Sequence, residues 1–462
     1  MTTKAYRYRI YPNCKQKQKL SMFFGCSRKL YNLYLEWWKN EYALAKNEGR
    51  TMENIPNYTF FTKQKQYGYL RDCDSVIMAT TKLHFYNAIK DYFKSKNGQR
   101  KGRKVGFPQF KKKGVSKDSY TTYNNANAVI LDENSKHIRL PKIGFVKIVL
   151  HRPFDGRIKS VNVSRSKAGN YFVVLTVEND EPETSVNEKR ALTDKPSVVG
   201  LDMSYSKFVV SSNEKDDAII KYTRLYRKNE KKLARLQRSM SRKQMVGTGE
   251  YFTNKYGKQQ EIKRRSNNRE KARIRYAKYA EHVANQRTDF VAKSALHFAR
   301  TYDVIVLEDI DMQAQARTLN FGKSVNDLAF GEFRLWLEHE ASKNGCTVIY
   351  ADKWFASSQT CSDCGYVNKE VKDLSVREWV CPVCGCVHDR DRNAAINLRM
   401  YFGKYNTAGT AGIKACGEEN SIPVCHVDGQ ISPKDPETGR KQETVDYEKV
   451  AGRSEARDFS YG

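Results

Sequence analysis

CPVCGCVHDRDRNAAINL, residues 381–398, runs a cysteine pair into an acidic couplet and then into a helix-forming segment. Cys381 and Cys384 form a Cys-x2-Cys knuckle, and a matching knuckle, Cys361 and Cys364, precedes it by sixteen intervening residues. Two knuckles so spaced put four thiolates at the corners of a tetrahedron, the geometry Zn²⁺ prefers. A complete four-sulfur shell leaves no open position, so this spacing predicts a structural zinc. Cys386 is a nearby spare cysteine at a poorer spacing. Asp391 stands just before RNAAINLRMYF, a helical run, where it could serve as an N-cap.

Two other acids sit in similar settings upstream. Asp202 ends the apolar run SVVGLD, and Glu308 ends DVIVLE. An acid at the end of a buried strand is expensive unless it binds something. Alone, each of the three acids also fits a cap or a solvated strand end. Together their order is strand-acid, helices, strand-acid, strand, helix-acid, an RNase H-like order. Three carboxylates meeting at one point can hold a pair of Mg²⁺ ions, which suits phosphodiester hydrolysis. Asp309 should face away from Glu308 if the strand alternates. It is a second-choice candidate, as are His388 and Asp389.

The composition narrows the partner. Among 462 residues there are 82 Lys and Arg against 52 Asp and Glu, a formal net charge of +30. Such an excess marks a polyanion binder, and 28 Tyr with 21 Phe supply surfaces on which bases stack. No run of 18 apolar residues occurs, and the N-terminal MTTKAYRYRIYPN lacks a signal-peptide core, so a cytosolic protein is expected. Five of the 11 cysteines fall between 361 and 386, which in such a compartment points to metal binding over disulfides.

Patterning sketches the architecture. AYRYRIY (5–11) alternates as a strand, 15–96 is helical and rich in aromatics, and 99–115 is a basic loop with seven Lys and Arg and no acid. Strands return over 128–179, so the first strand could join this later sheet with the helical block inserted between them. Two basic helical segments are expected at 222–245 and 261–302. The tail from Val427 carries eight acids and six bases with few apolar residues, a disordered composition.

GLDMS (200–204), LEDID (307–311), the paired cysteines and HDRDRNAAINL (388–398), in that order, resemble the split RuvC nuclease of the TnpB family. That family is encoded by IS200/IS605 transposons and is related to miniature type V Cas12 nucleases. LARLQRSMSRK (233–243), HVANQRTDFVAK (282–293) and SVNDLAFGEFRLWL (324–337) extend the likeness, which spans Tyr6 to Cys416 and leaves the tail after Val427 unmatched. The resemblance implies an α/β multidomain protein. A wedge-type β-barrel would occupy 1–12 and 116–182, interrupted by a helical recognition domain at 13–115. After a linker at 183–195, an RNase H-like RuvC nuclease domain would occupy 196–355 and 387–415, with a zinc-ribbon insertion at 356–386 and a tail at 416–462. It assigns the triad to Asp202, Glu308 and Asp391, with two Mg²⁺, and one Zn²⁺ to Cys361, Cys364, Cys381 and Cys384.

The implied activity is that of an RNA-guided DNA endonuclease, cutting double-stranded target DNA beside a short flanking motif. Guide RNA would pair with one strand, and Arg224–Lys243 and Lys263–Lys278 would line the channel that grips the duplex backbone by shape, the alternative for each run being a solvated helix face. Its place would be the prokaryotic cytoplasm, at the nucleoid, with no membrane partner. The alternative is a nuclease-inactive DNA-binding or repressor protein on the same scaffold, against which all three acids are present. A transposase with a His-x-His metal site fits poorly, since none of the eight histidines lies two residues from another.

Overall fold

β1 (Thr2–Tyr11) turns Tyr8 and Ile10 into the core and Arg7 and Arg9 to solvent, as alternation requires. The computed structural model describes residues 2–406 except 101–103, 133, 135, 180–194, 205–206, 217–219, 221–223, 254–256, 310–327 and 374. The linker expected at 183–195, Lys195 excepted, and the tail at 416–462 lie outside the described residues.

After β1 come α1 (Cys14–Glu48), α2 (Tyr58–Thr62) and α3 (Ser75–Lys96). Asn13 and Gln16 close a reciprocal capping box at the start of α1, and Gly49 ends it in the left-handed region that glycine adopts without strain. The chain then forms β2 (Asp118–Tyr123), β3 (Ile130–Leu131), β4 (His137–Leu140), β5 (Gly144–Val149), β6 (Arg157–Arg165) and β7 (Tyr171–Asn179). β1 pairs antiparallel with both β7 and β5, so the first strand lies inside a seven-stranded sheet of order β2-β6-β7-β1-β5-β4-β3. Among the described residues the ladder of this sheet does not join β2 to β3. One hydrophobic core unites sheet and helices: Tyr8, Val163 and Leu175 from strands pack with Phe23, Tyr34 and Phe85 from helices.

The second half is organised around four strands. β8 (Val198–Asp202) and β9 (Val210–Ser211) precede α4 (Leu225–Ser241), β10 (Met245–Thr253), β11 (Gln259–Arg265) and α5 (Asn267–Thr301). β12 (Val304–Glu308), α6 (Phe330–Asn344) and β13 (Thr347–Ala351) follow, then β14 (Glu378–Val380), β15 (Val387–Asp389) and α7 (Arg390–Asn406). The sheet order is β13-β12-β8-β9, with β12 parallel to both neighbours and β9 antiparallel to β8. Strand alternation divides its side chains between two layers. Val199, Leu201, Ile305 and Leu307 pack against Phe298 of α5 and Phe333 of α6. Val304, Val306 and Ile349 face Leu398 and Tyr401 of α7.

The structure corrects one stretch. Glu261–Arg265, expected to be helical, is the second strand of the hairpin β10–β11, and α5 begins only at Asn267, behind the Ser266 cap. No helix among the described residues is long and apolar enough to cross a membrane.

Candidate functional site

Asp202 and Glu308 share strand parity with Val198 and Val304, so both end their strands on the α7 face of the sheet. Asp391, in the first turn of α7, arrives at the same face. Burial pushes the Asp202 carboxyl well above the ordinary carboxylate range, and the charges of Glu308 and Asp391 push it further against the pull of Arg390. Burial also raises Glu308, offset by a hydrogen bond donated by the Ser357 hydroxyl and by the Arg390 charge. The Ser204 hydroxyl donates to Asp391 Oδ2 at 2.7 Å, and Arg377 Nη1 lies 3.6 Å from Asp391 Oδ1. Asp202 thus lies within electrostatic reach of both Glu308 and Asp391, two of the three are held by a serine, and the three oxygen sets are not drawn as close together as the knuckle sulfurs described below.

Close packing of α7 on β8 makes this arrangement possible. A Cβ at Gly200 would come 2.1 Å from the Ala395 carbonyl oxygen and 2.4 Å from the Arg399 amide nitrogen. Only glycine leaves room for the helix backbone there. Two asparagines one turn apart on α7 clasp the segment before and around the first knuckle. Asn393 accepts from the Ser362 amide at 2.9 Å and donates to the Thr360 carbonyl at 2.7 Å. Asn397 donates to the Ser357 and Thr360 carbonyls at 2.8 and 2.6 Å. The NAAIN run therefore buries both amides in a polar clasp and keeps two small residues, Ala394 and Ala395, against the sheet.

The cysteines of the two knuckles converge. The sulfurs of Cys361, Cys364, Cys381 and Cys384 all lie within 4.8 Å of one another. Cys361 and Cys384 are 3.6 Å apart, and Cys364 and Cys381 are 3.5 Å apart. Sulfurs around a tetrahedral zinc at 2.3 Å would be about 3.8 Å apart, whereas a disulfide needs about 2.05 Å. The set therefore fits a metal and does not fit a pair of disulfides. The knuckles are copies in backbone terms. Cys361 and Cys381 each accept the amide of a left-handed glycine, Gly365 or Gly385, at 2.9 Å. Each also donates its own amide to a carbonyl five residues on, at 2.8 Å.

The other candidates are placed elsewhere. Asp389, not Asp391, is the N-cap of α7, accepting the Arg392 amide at 2.9 Å. Burial raises the Asp389 carboxyl, but that hydrogen bond and Lys207, 3.1 Å away, outweigh it and hold it below its usual range. Asp309 pairs with Arg334 of α6 at 3.3 Å. His388 Nε2 lies 3.1 Å from the Cys361 sulfur, its ring against Trp379. With Asp363 and Cys361 it makes a second potential ligand group. Cys386 stands outside both groups.

Of the two basic segments, α4 and the start of α5 flank a cavity of about 330 Å³ lined by Ser239, Lys243, Asn268, Lys271 and Arg275. Arg269 caps α4, donating to the carbonyls of Met240, Ser241 and Lys243. Sequence reasoning missed Ser204, Ser357 and the asparagine clasp. The repeat of Asn at i and i+4 in RNAAIN was the one signal that could have exposed the clasp.

Three families match parts of the chain: "Helix-turn-helix domain" over residues 1–47, "Probable transposase" over 244–318, and "Cas12f1-like, TNB domain" over 330–398. The first match covers β1 and most of the single long helix α1. A protein of Streptomyces pristinaespiralis named "Putative RNA-guided DNA endonuclease" is 28% identical over 90% of this chain and 91% of its own length. "Putative RNA-guided DNA endonuclease InsQ" of Escherichia coli is 26% identical over 90% of this chain and 94% of its own. "TnpB-like protein L79" of Acanthamoeba polyphaga mimivirus is 28% identical over 26% of this chain and 24% of its own. Over nine-tenths of its length the chain is thus similar to proteins named RNA-guided DNA endonucleases, and its second half matches transposase and Cas12f1-like families.

Proposed function

We propose that this protein is an RNA-guided endonuclease that cleaves double-stranded DNA beside a short flanking motif, working in the prokaryotic cytoplasm at the nucleoid. The observation that carries the reading is the placing of Asp202 and Glu308 at the ends of neighbouring parallel strands, with Asp391 in the first turn of α7, so that both other acids act on the Asp202 carboxyl. In this reading that sheet with its helices is the RuvC nuclease domain, and the two knuckles are its zinc-ribbon insertion. The seven-stranded sheet is the wedge domain, and α1 to α3 are the recognition helices. The +30 charge suits a chain that holds RNA and DNA together.

Asp202, Glu308 and Asp391 would hold two Mg²⁺ ions, which supply the charge to activate water and stabilise the oxygens of an in-line displacement. Ser204 and Ser357 fix the orientation of Asp391 and Glu308, and Arg390 tempers the negative charge before metal is taken up. Cys361, Cys364, Cys381 and Cys384 would hold one Zn²⁺, fastening the segment that leads into α7. Lys243, Lys271 and Arg275, around the cavity between α4 and α5, would bind the backbone of the guide–target duplex.

The test begins with RNA that copurifies. One dominant RNA species, programmed cleavage of a matching target in Mg²⁺, and loss of cleavage in EDTA are expected. Elemental analysis should give one zinc per chain, absent from Cys364→Ser. Random host RNA with no dominant species would sink the guided reading.

A further inference from the structure

Trp354 is 86% exposed, more than any other large apolar side chain among the described residues. It is held on a fixed turn. Its amide donates to Asp352 Oδ1 at 2.8 Å, and the Phe355 amide donates to the Asp352 carbonyl at 2.9 Å. The Asp352 amide in turn donates to the Tyr401 hydroxyl of α7 at 2.9 Å. Phe355 packs on the Tyr401 ring, with centroids 4.9 Å apart, so the turn sends one aromatic inward and its neighbour outward. Lys353 Nζ stands 5.7 Å from the Trp354 ring centroid.

The turn also borders the carboxylates. It follows Ala351, the residue paired in register with Glu308, and three residues beyond Trp354 comes Ser357, which donates to the Glu308 carboxylate. Chain length alone keeps the Cα atoms of Trp354 and Ser357 within about 11 Å. A rigid, solvent-facing indole loses little conformational freedom on binding, yet forgoes burial until something covers it. An ammonium beside the ring suits an aromatic ligand joined to phosphate. Every base has a face that can stack, but it must be unpaired to reach a ring held on a turn.

We infer that Trp354, with Lys353 at its edge, is a stacking platform for an unpaired nucleobase of the strand that enters the carboxylate site. This deepens the nuclease reading and rests on it. The platform favours DNA whose strands are already separated and holds the strand by a contact indifferent to sequence.

The test compares wild type, Trp354→Phe and Trp354→Ala, each as its complex with guide RNA. In Ca²⁺, a single-stranded oligothymidylate should quench a part of the emission of the five tryptophans that is missing in Trp354→Phe. In Mg²⁺, Trp354→Ala should cleave target about tenfold or more slowly, while Trp354→Phe, which still stacks, stays within about threefold of wild type. Equal quenching in wild type and Trp354→Phe overturns the proposal, as does wild-type cleavage by Trp354→Ala. A change of oligomeric mass in Trp354→Ala would also overturn it, assigning the ring to a contact between chains. Quenching is read without cleavage, so a failure of the nuclease reading remains distinguishable.

Discussion

Asp389 and Asp391 stand two residues apart and meet different surroundings, because one precedes α7 and the other lies within its first turn. Asp391→Ala is expected to silence cleavage in Mg²⁺ while target binding survives. Asp389→Ala should remove a cap, cost about 1 kcal/mol of stability, and leave cleavage measurable. Cleavage rates and urea midpoints of the two variants decide this, and the reverse pattern would mean that the other acid of the couplet is the ligand. Asp202 carries a pH signature. Its folded pKa is raised, so between an unfolded value near 3.9 and that raised value the folded state binds more protons than the unfolded. This contribution to metal-free stability therefore falls as pH rises through that window. Asp202→Asn should flatten the slope and melt above wild type in EDTA at neutral pH, as thermal scans across pH would reveal. The three acids could be singled out in the sequence because each follows a recognisable apolar strand or precedes a helical run. Their serine partners could not, since Ser204 and Asp391 are 187 residues apart and no local pattern joins them.

Helix α7 unites the candidate site with the cysteine knuckles, lying on β8 at Gly200 and clasping the first knuckle through Asn393 and Asn397. Gly200→Ala places a methyl against backbone atoms on both sides, which no side-chain rotation can relieve. The helix must lift from the sheet, at an expected cost of about 2–4 kcal/mol. Chemical denaturation should record that loss, and cleavage should fall further than stability because Asp391 moves with the helix. An unchanged denaturation midpoint would mean that α7 does not sit this close in solution. At this scale the parallel strands were legible as short apolar runs, whereas the hairpin β10–β11 was not. Its flanking Lys and Arg continue the composition of the neighbouring helices, and most of its residues are exposed, so no apolar alternation marks the strands. The glycines at 247, 249 and 257, near Tyr251 and Phe252, were the available warning.

Across the whole molecule the charge of +30 is spread over a chain whose N-terminal helices and sheet share one core. The inserted helical block was visible from the sequence, but its common core with the sheet was not, because aromatic helix faces do not reveal what covers them. A chain contacting six or more phosphates should lose nucleic-acid affinity by about a thousandfold or more between about 50 and 200 mM salt. Binding isotherms across that range test it, and a flat response would place the positive charge away from the nucleic acid. The three acids also arrive in order along the chain, with Asp391 last and only 15 residues before the end of α7. During synthesis, the basic helices and the first two acids leave the ribosome well before the third. A message cut short upstream of that codon yields a chain that keeps the basic helices but loses all of α7, and with it the third carboxylate, the cover on one face of the four-stranded sheet and the clasp on the first knuckle.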